Sequence, residues 1–113
     1  MLYTQLGQSQ LNVSRICLGC MGFGDPTHGQ HSWTLDYPQS FTIIQQAFEL
    51  GINFYDTAIA YQNGTNEQFL GRALKKLSMR DDAIIATKFL PRSKEQRAEL
   101  TAAQHIHNMV DAS

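Results

Sequence analysis

The chain has 113 residues, a net charge of −1, 42% hydrophobic and 17% charged residues. That composition fits a single folded domain over residues 1–113 and argues against disorder. With no run of one charge sign, it gives no electrostatic case for a nucleic-acid partner or an anionic membrane.

No apolar stretch is long enough to span a bilayer. The opening "MLYTQLGQSQ" lacks the basic region and apolar run of a secretory signal. The expected location is therefore the cytoplasm, where Cys17 and Cys20 stay reduced. Nothing in the sequence sets an oligomeric state.

In chain order, Met1 to Val13 reads as a hairpin, with "YTQL" and "LNVS" flanking a turn that contains Gly7. "RICLG" is a short apolar run ended by Gly19, as in a buried strand. A polar, glycine-rich loop follows to Tyr37. Pro38 then suits the first position of a helix, Phe41, Ile44 and Phe48 give it an apolar stripe, and Gly51 suits its C-terminal cap. "INFYDTA" is a second strand that ends in polar residues. After the loop "IAYQNGT", Asn66 is expected to cap a helix whose apolar face is Phe69, Leu70, Ala73, Leu74 and Leu77. "DAIIATK" is a third strand, ending at Lys88, and a third helix is expected from about Thr101.

Strands alternating with helices predict an α/β fold with parallel pairing and right-handed crossovers. Continuous apolar strands predict burial on both faces. The pattern admits a small open sheet or the first part of a (β/α)8 barrel.

Asp56, Tyr61 and Lys88 stand at or just beyond strand ends, where parallel α/β folds build their sites. A partly desolvated ammonium needs a counter-charge, and Asp56 is the suitable one. An ammonium beside a phenol favours the phenolate and lowers its pKa, so the three residues form a credible proton-delivery unit. The plainer alternative is a strand-end salt bridge with a loop tyrosine nearby.

Cys17 and Cys20 have the C-x-x-C spacing of a redox pair. Redox pairs open a helix, whereas this one closes a strand, so Cys17 is expected to be a small buried apolar residue. "GCMGFG" lacks dinucleotide-fingerprint spacing and no helix follows at once. His28, His31, His105 and His107 read as surface or loop residues. No His/Cys set has zinc spacing, so no metal is expected.

From Tyr3 to Lys88 the chain resembles the N-terminal part of an aldo-keto reductase. "YTQLGQSQLNVSRICLGCMGFG" resembles the family's opening hairpin and first strand. "AFELGINFYDTAIAYQNGTNEQFLGRAL" resembles strand two, the catalytic loop and the second helix, and "IIATK" strand three. The resemblance implies the opening hairpin and first three β/α units of a (β/α)8 TIM barrel, truncated. It implies reduction of an aldehyde or ketone in a small carbonyl substrate with a nicotinamide cofactor, NADPH in most members. Tyr61 would be the general acid, Lys88 would lower its pKa, and Asp56 would pair with Lys88. Gly19, Cys20, Met21 and Asp56 would lie along the nicotinamide end of the cofactor, with Cys20 standing where threonine is common. Gln10 replaces a usual glycine in the opening turn. Trp33 would either line the substrate pocket or pack its loop against the barrel rim.

The family's catalytic histidine, on strand four, and its late phosphate loops find no match in these residues. The expectation is therefore a chain without competent turnover. Two other readings remain: a stand-alone α/β binding module with a thiol function at Cys17 and Cys20, and a barrel segment that pairs with a full-length relative through its open edges.

Overall fold

A computed structural model describes residues 1–113. Strands β1 (Tyr3–Gln5) and β2 (Asn12–Ser14) form an antiparallel hairpin. Its turn carries Gly7 at φ 58°. The hairpin sits against the loop that precedes strand β4 (Phe54–Asp56). There the Ser14 amide donates to Asn53 Oδ1 at 2.7 Å, Asn53 Nδ2 donates to the Asn12 carbonyl at 3.0 Å, and the Tyr3 hydroxyl donates to the Gly51 carbonyl at 2.7 Å.

Strands β3 (Leu18–Gly19), β4 and β5 (Ile84–Ala86) make a parallel sheet in sequential order. All three are shorter than the apolar runs that contain them. The register sets Gly19 beside Asp56 and Asp56 beside Ala86. Two residues beyond Ala86 comes Lys88, so the chemistry-bearing residues share one end of the sheet.

Helices α1 (Tyr37–Glu49) and α2 (Thr65–Lys76) cover one face. Asp36 caps α1, its side chain accepting from the Gln39 amide at 3.0 Å, and Pro38 lies in the first turn. Gly51 ends that helix at φ 86°, a conformation that favours glycine. Ile44, Tyr55, Leu70, Ala73 and Leu74 are almost fully buried between sheet and helices. The molecule is a slab with extents of 46 × 40 × 20 Å.

The other sheet face is open. Cys17 and Gly19 are exposed, while Phe54, Ile84 and Ala86 are only half-buried. Burial on both faces, expected from the continuous apolar strands, therefore holds only on the helix side. Cys17 is correspondingly not a buried apolar residue but an exposed one on the open face.

Beyond β5 the chain forms a short helix α3 (Lys94–Glu99) and then α4 (Ala102–Ala112). Each begins with a reciprocal capping box, Ser93 with Gln96 and Thr101 with Gln104. The start of α4 matches expectation, whereas α3 went unread. His105 is not a surface residue: it is 4% exposed, with Nε2 2.7 Å from the Leu90 carbonyl oxygen and its ring edge-on to Phe89.

Asn66 does not cap α2. Gly64, at φ 87°, takes that place. The Asn66 side chain is fully buried instead: Nδ2 donates to the carbonyls of Cys20 and Phe23 (2.8 Å to Phe23), and Oδ1 accepts from the Thr57 hydroxyl. Three buried bonds joining two strand ends to α2 make this amide structural. Asn66→Ala strands those partners and should destabilise the fold by about 2–4 kcal/mol, read as a lower denaturant midpoint; a change within about 0.5 kcal/mol would contradict this.

Candidate active site

Asp56 ends β4, and its backbone continues the ladder on both sides. The Cys20 amide donates to the Asp56 carbonyl at 2.8 Å, and the next amide, Thr57, donates to the Ala86 carbonyl at 2.8 Å. The Ile59 amide then donates to the Lys88 carbonyl at 3.0 Å. Main-chain bonds therefore carry the loop bearing Tyr61 alongside the chain bearing Lys88.

Lys88 Nζ donates to Asp56 Oδ1 and to the Thr57 carbonyl, both at 2.8 Å. It lies 5.1 Å from the centroid of the Tyr61 ring, within cation–π range. The three residues predicted to work together do come together. The ion pair is open to water, with side-chain exposures of 48% for Lys88 and 44% for Asp56. Partial desolvation pulls the Lys88 ammonium towards deprotonation. Its hydrogen bonds and charge interactions with Asp56 and Tyr61 outweigh that pull, and the net shift is upward.

Tyr61 opens a single tight turn, Tyr61–Gly64, in which Gln62 (φ 46°) and Asn63 (φ 52°) are both left-handed. Non-glycine residues rarely adopt that conformation. It is held because Gln62 is 1% exposed and fully bonded. Sequence reading missed Gln62 and the buried role of Asn66. The signal was available only as two amide side chains flanking a glycine after a strand.

At the neighbouring strand end Gly19 and Met21 are exposed, Met21 at 43%. A Cβ at Gly19 would meet nothing within 4 Å. Cys20 turns the other way, 0% exposed in the core. Its thiol donates towards the Leu18 carbonyl at 3.4 Å, and both of its backbone groups are bonded. Burial, reinforced by Cys17 and Asp56, pushes the Cys20 thiol up to about 12. Burial and the Asp56 charge also raise Cys17. Neither thiol favours its reactive thiolate, so the redox-pair reading finds no support.

Trp33 stands on the β3–α1 loop, 58% exposed, stacked on His31 at 4.7 Å and 25°. His28 bonds locally to Thr27 and Asp25. No group of three or more His, Cys, Asp or Glu side chains is placed to hold a metal ion. No helix is long and apolar enough to cross a membrane.

The fold is a parallel α/β sheet with an Asp–Lys pair and a tyrosine at its carboxyl end, an arrangement that many activities share. The profile of the Aldo/keto reductase family matches residues 15–113. Versiconal hemiacetal acetate reductase of Aspergillus parasiticus is 42% identical over 89 residues, covering 78% of this chain and 25% of that protein. Aryl-alcohol dehydrogenase [NADP(+)] of Phanerodontia chrysosporium is 39% identical over 79 residues, covering 70% of this chain and 20% of that protein. Among solved structures, an aldo-keto reductase of Bacillus halodurans in its holo form superposes with a TM-score of 0.64 at 42% identity, over 84% of this chain and 28% of that one. The chain belongs to the aldo-keto reductase family. It spans about a quarter of the length of the curated relatives it matches.

Because the folded state binds the Lys88 proton more tightly, that residue's contribution to stability is complete below the ordinary lysine value of about 10.4. It fades as pH rises through the higher folded value. Side-chain NMR should show Lys88 titrating above ordinary lysines, and Asp56→Asn should bring it down; a Lys88 titration below the ordinary range would contradict the geometry.

Proposed function

We propose that this chain forms the hairpin and first three β/α units of a (β/α)8 reductase barrel and carries that enzyme's proton-delivery residues. The observation that carries the reading is Lys88 Nζ, bonded to Asp56 and poised over the Tyr61 ring. Tyr61 is the general acid that protonates the oxygen of an aldehyde or ketone. Lys88 stabilises the negative charge that grows on the phenolic oxygen as the proton leaves. Asp56 and the Thr57 carbonyl hold the ammonium in place.

The open surface at Gly19, with Met21 and Asp56 beside it, fits the flat nicotinamide end of NADPH. Cys20 supports that lip from behind through its buried side chain and bonded backbone. NADPH, when bound, supplies the hydride; the name of the Phanerodontia relative, which carries NADP(+), favours it over NADH. Trp33, exposed on the adjacent loop, offers an aromatic face to the small carbonyl substrate.

By themselves these 113 residues do not turn over. The Lys88–Asp56 pair is nearly half exposed, and in water such charges lose most of the strength that a dry site gives them. The test is to graft residues 1–113 onto the remainder of the Bacillus halodurans barrel and measure NADPH-dependent reduction of an aromatic aldehyde. The 113 residues alone should show no turnover that depends on Tyr61. The graft should turn over, and Tyr61→Phe should lower its kcat by about 100-fold or more. Equal rates for graft and variant would overturn the assignment.

A further inference from the structure

Gln62 makes four side-chain hydrogen bonds, and every one goes to the β3–α1 loop. Its Oε1 accepts from the His31 amide at 2.9 Å. Its Nε2 lies 2.8 Å from the carbonyls of Asp25 and His31 and 3.0 Å from the Thr34 hydroxyl. A second link runs through Thr65, whose hydroxyl donates to the Gln62 carbonyl at 2.8 Å and accepts from the Asp25 amide at 3.0 Å.

The loop is moulded around this side chain. A Cβ at Gly24 would fall 2.6 Å from Gln62 Cβ, and one at Gly29 would fall 2.6 Å from Gln62 Oε1. Both glycines have positive φ, 136° and 159°. A buried amide with satisfied partners resists displacement, because each broken bond strands a polar group. The loop that carries His31 and Trp33 cannot shift relative to Tyr61 without breaking these bonds.

We propose that Gln62 is a positioning residue. It locks the loop bearing His31 and Trp33 to the turn bearing Tyr61, so that the substrate-facing aromatic and the proton donor move as one body. The catalytic consequence rests on the reading of Tyr61 as general acid; the mechanical coupling does not. Gln62 touches no reacting atom and acts through the backbone of its neighbour.

Trp33 is the only tryptophan, so its fluorescence reports on the loop alone. Gln62→Met keeps the side chain's length and volume but removes all four bonds. With far-UV dichroism and a cooperative melt retained, it should lower the anisotropy of Trp33. It should also speed exchange of the His31 and Tyr61 amides by about tenfold or more. Gln62→Glu keeps the acceptor for the His31 amide and loses the donors, so it should free Trp33 while sparing His31 protection. Should Gln62→Met fail to fold, Gly29→Ala pushes on the same contact from the loop side and should speed Tyr61 exchange.

Unchanged anisotropy and exchange would overturn the coupling, as would a loosened loop with Tyr61 exchange unmoved. None of these readouts needs turnover, so their failure is distinct from failure of the reductase reading. In the grafted barrel, Gln62→Met should lower kcat about tenfold with NADPH binding unchanged; an unaltered kcat beside a loosened loop would remove the positioning role.

Discussion

One buried amide organises the carboxyl end of the parallel sheet. Asn66, at the second position of α2, spends its side chain on Cys20, Phe23 and Thr57 rather than on its own helix. An unbonded amide at that depth would be strongly unfavourable, so the ends of β3 and β4 are obliged to converge on it. That convergence turns Cys20 inward and leaves Gly19 and Asp56 side by side on the open face. Gln62 repeats the device one turn earlier, on the loop side. Two amides thus fix a lip that the short strands alone would hold weakly.

The ion pair at that lip is better understood as placement than as stability. Exposed Lys–Asp pairs contribute little to folding, and this one is nearly half exposed on each side. What distinguishes it is the second acceptor, the Thr57 carbonyl. Two acceptors from adjacent residues leave Nζ few alternative positions, and the one it takes lies over Tyr61. Main-chain bonds from Ile59 to Lys88 and from Thr57 to Ala86 hold the two segments in step.

Much of this was legible in the sequence. Helical spacing, Pro38 and Gly51 located α1, and polar residues closing apolar runs located Asp56 and Lys88. What was not legible depended on partners distant in the chain. Asn66 reads locally as a cap because asparagine caps helices well, and only the approach of Cys20 and Phe23 claims its side chain. Cys20 reads as part of the exposed lip with Gly19, yet strand alternation past Gly19 turns it into the core beside Leu18. Cys17 and the open sheet face depart from expectation for a different reason: continuous apolar strands imply cover on both sides, and α1 and α2 supply it on one. Helix α3 had a local signal, the Ser93–Gln96 spacing, that a strand-and-helix alternation makes easy to pass over.

Lys88, Asp56 and Tyr61 form one unit held by the chain itself. Nuclear Overhauser contacts between the Lys88 side chain and the Tyr61 ring test it most directly. Clear cross-peaks are expected in the native chain, weakening when Asp56→Asn removes the charge holding Nζ. Their absence from a folded native chain would contradict this arrangement.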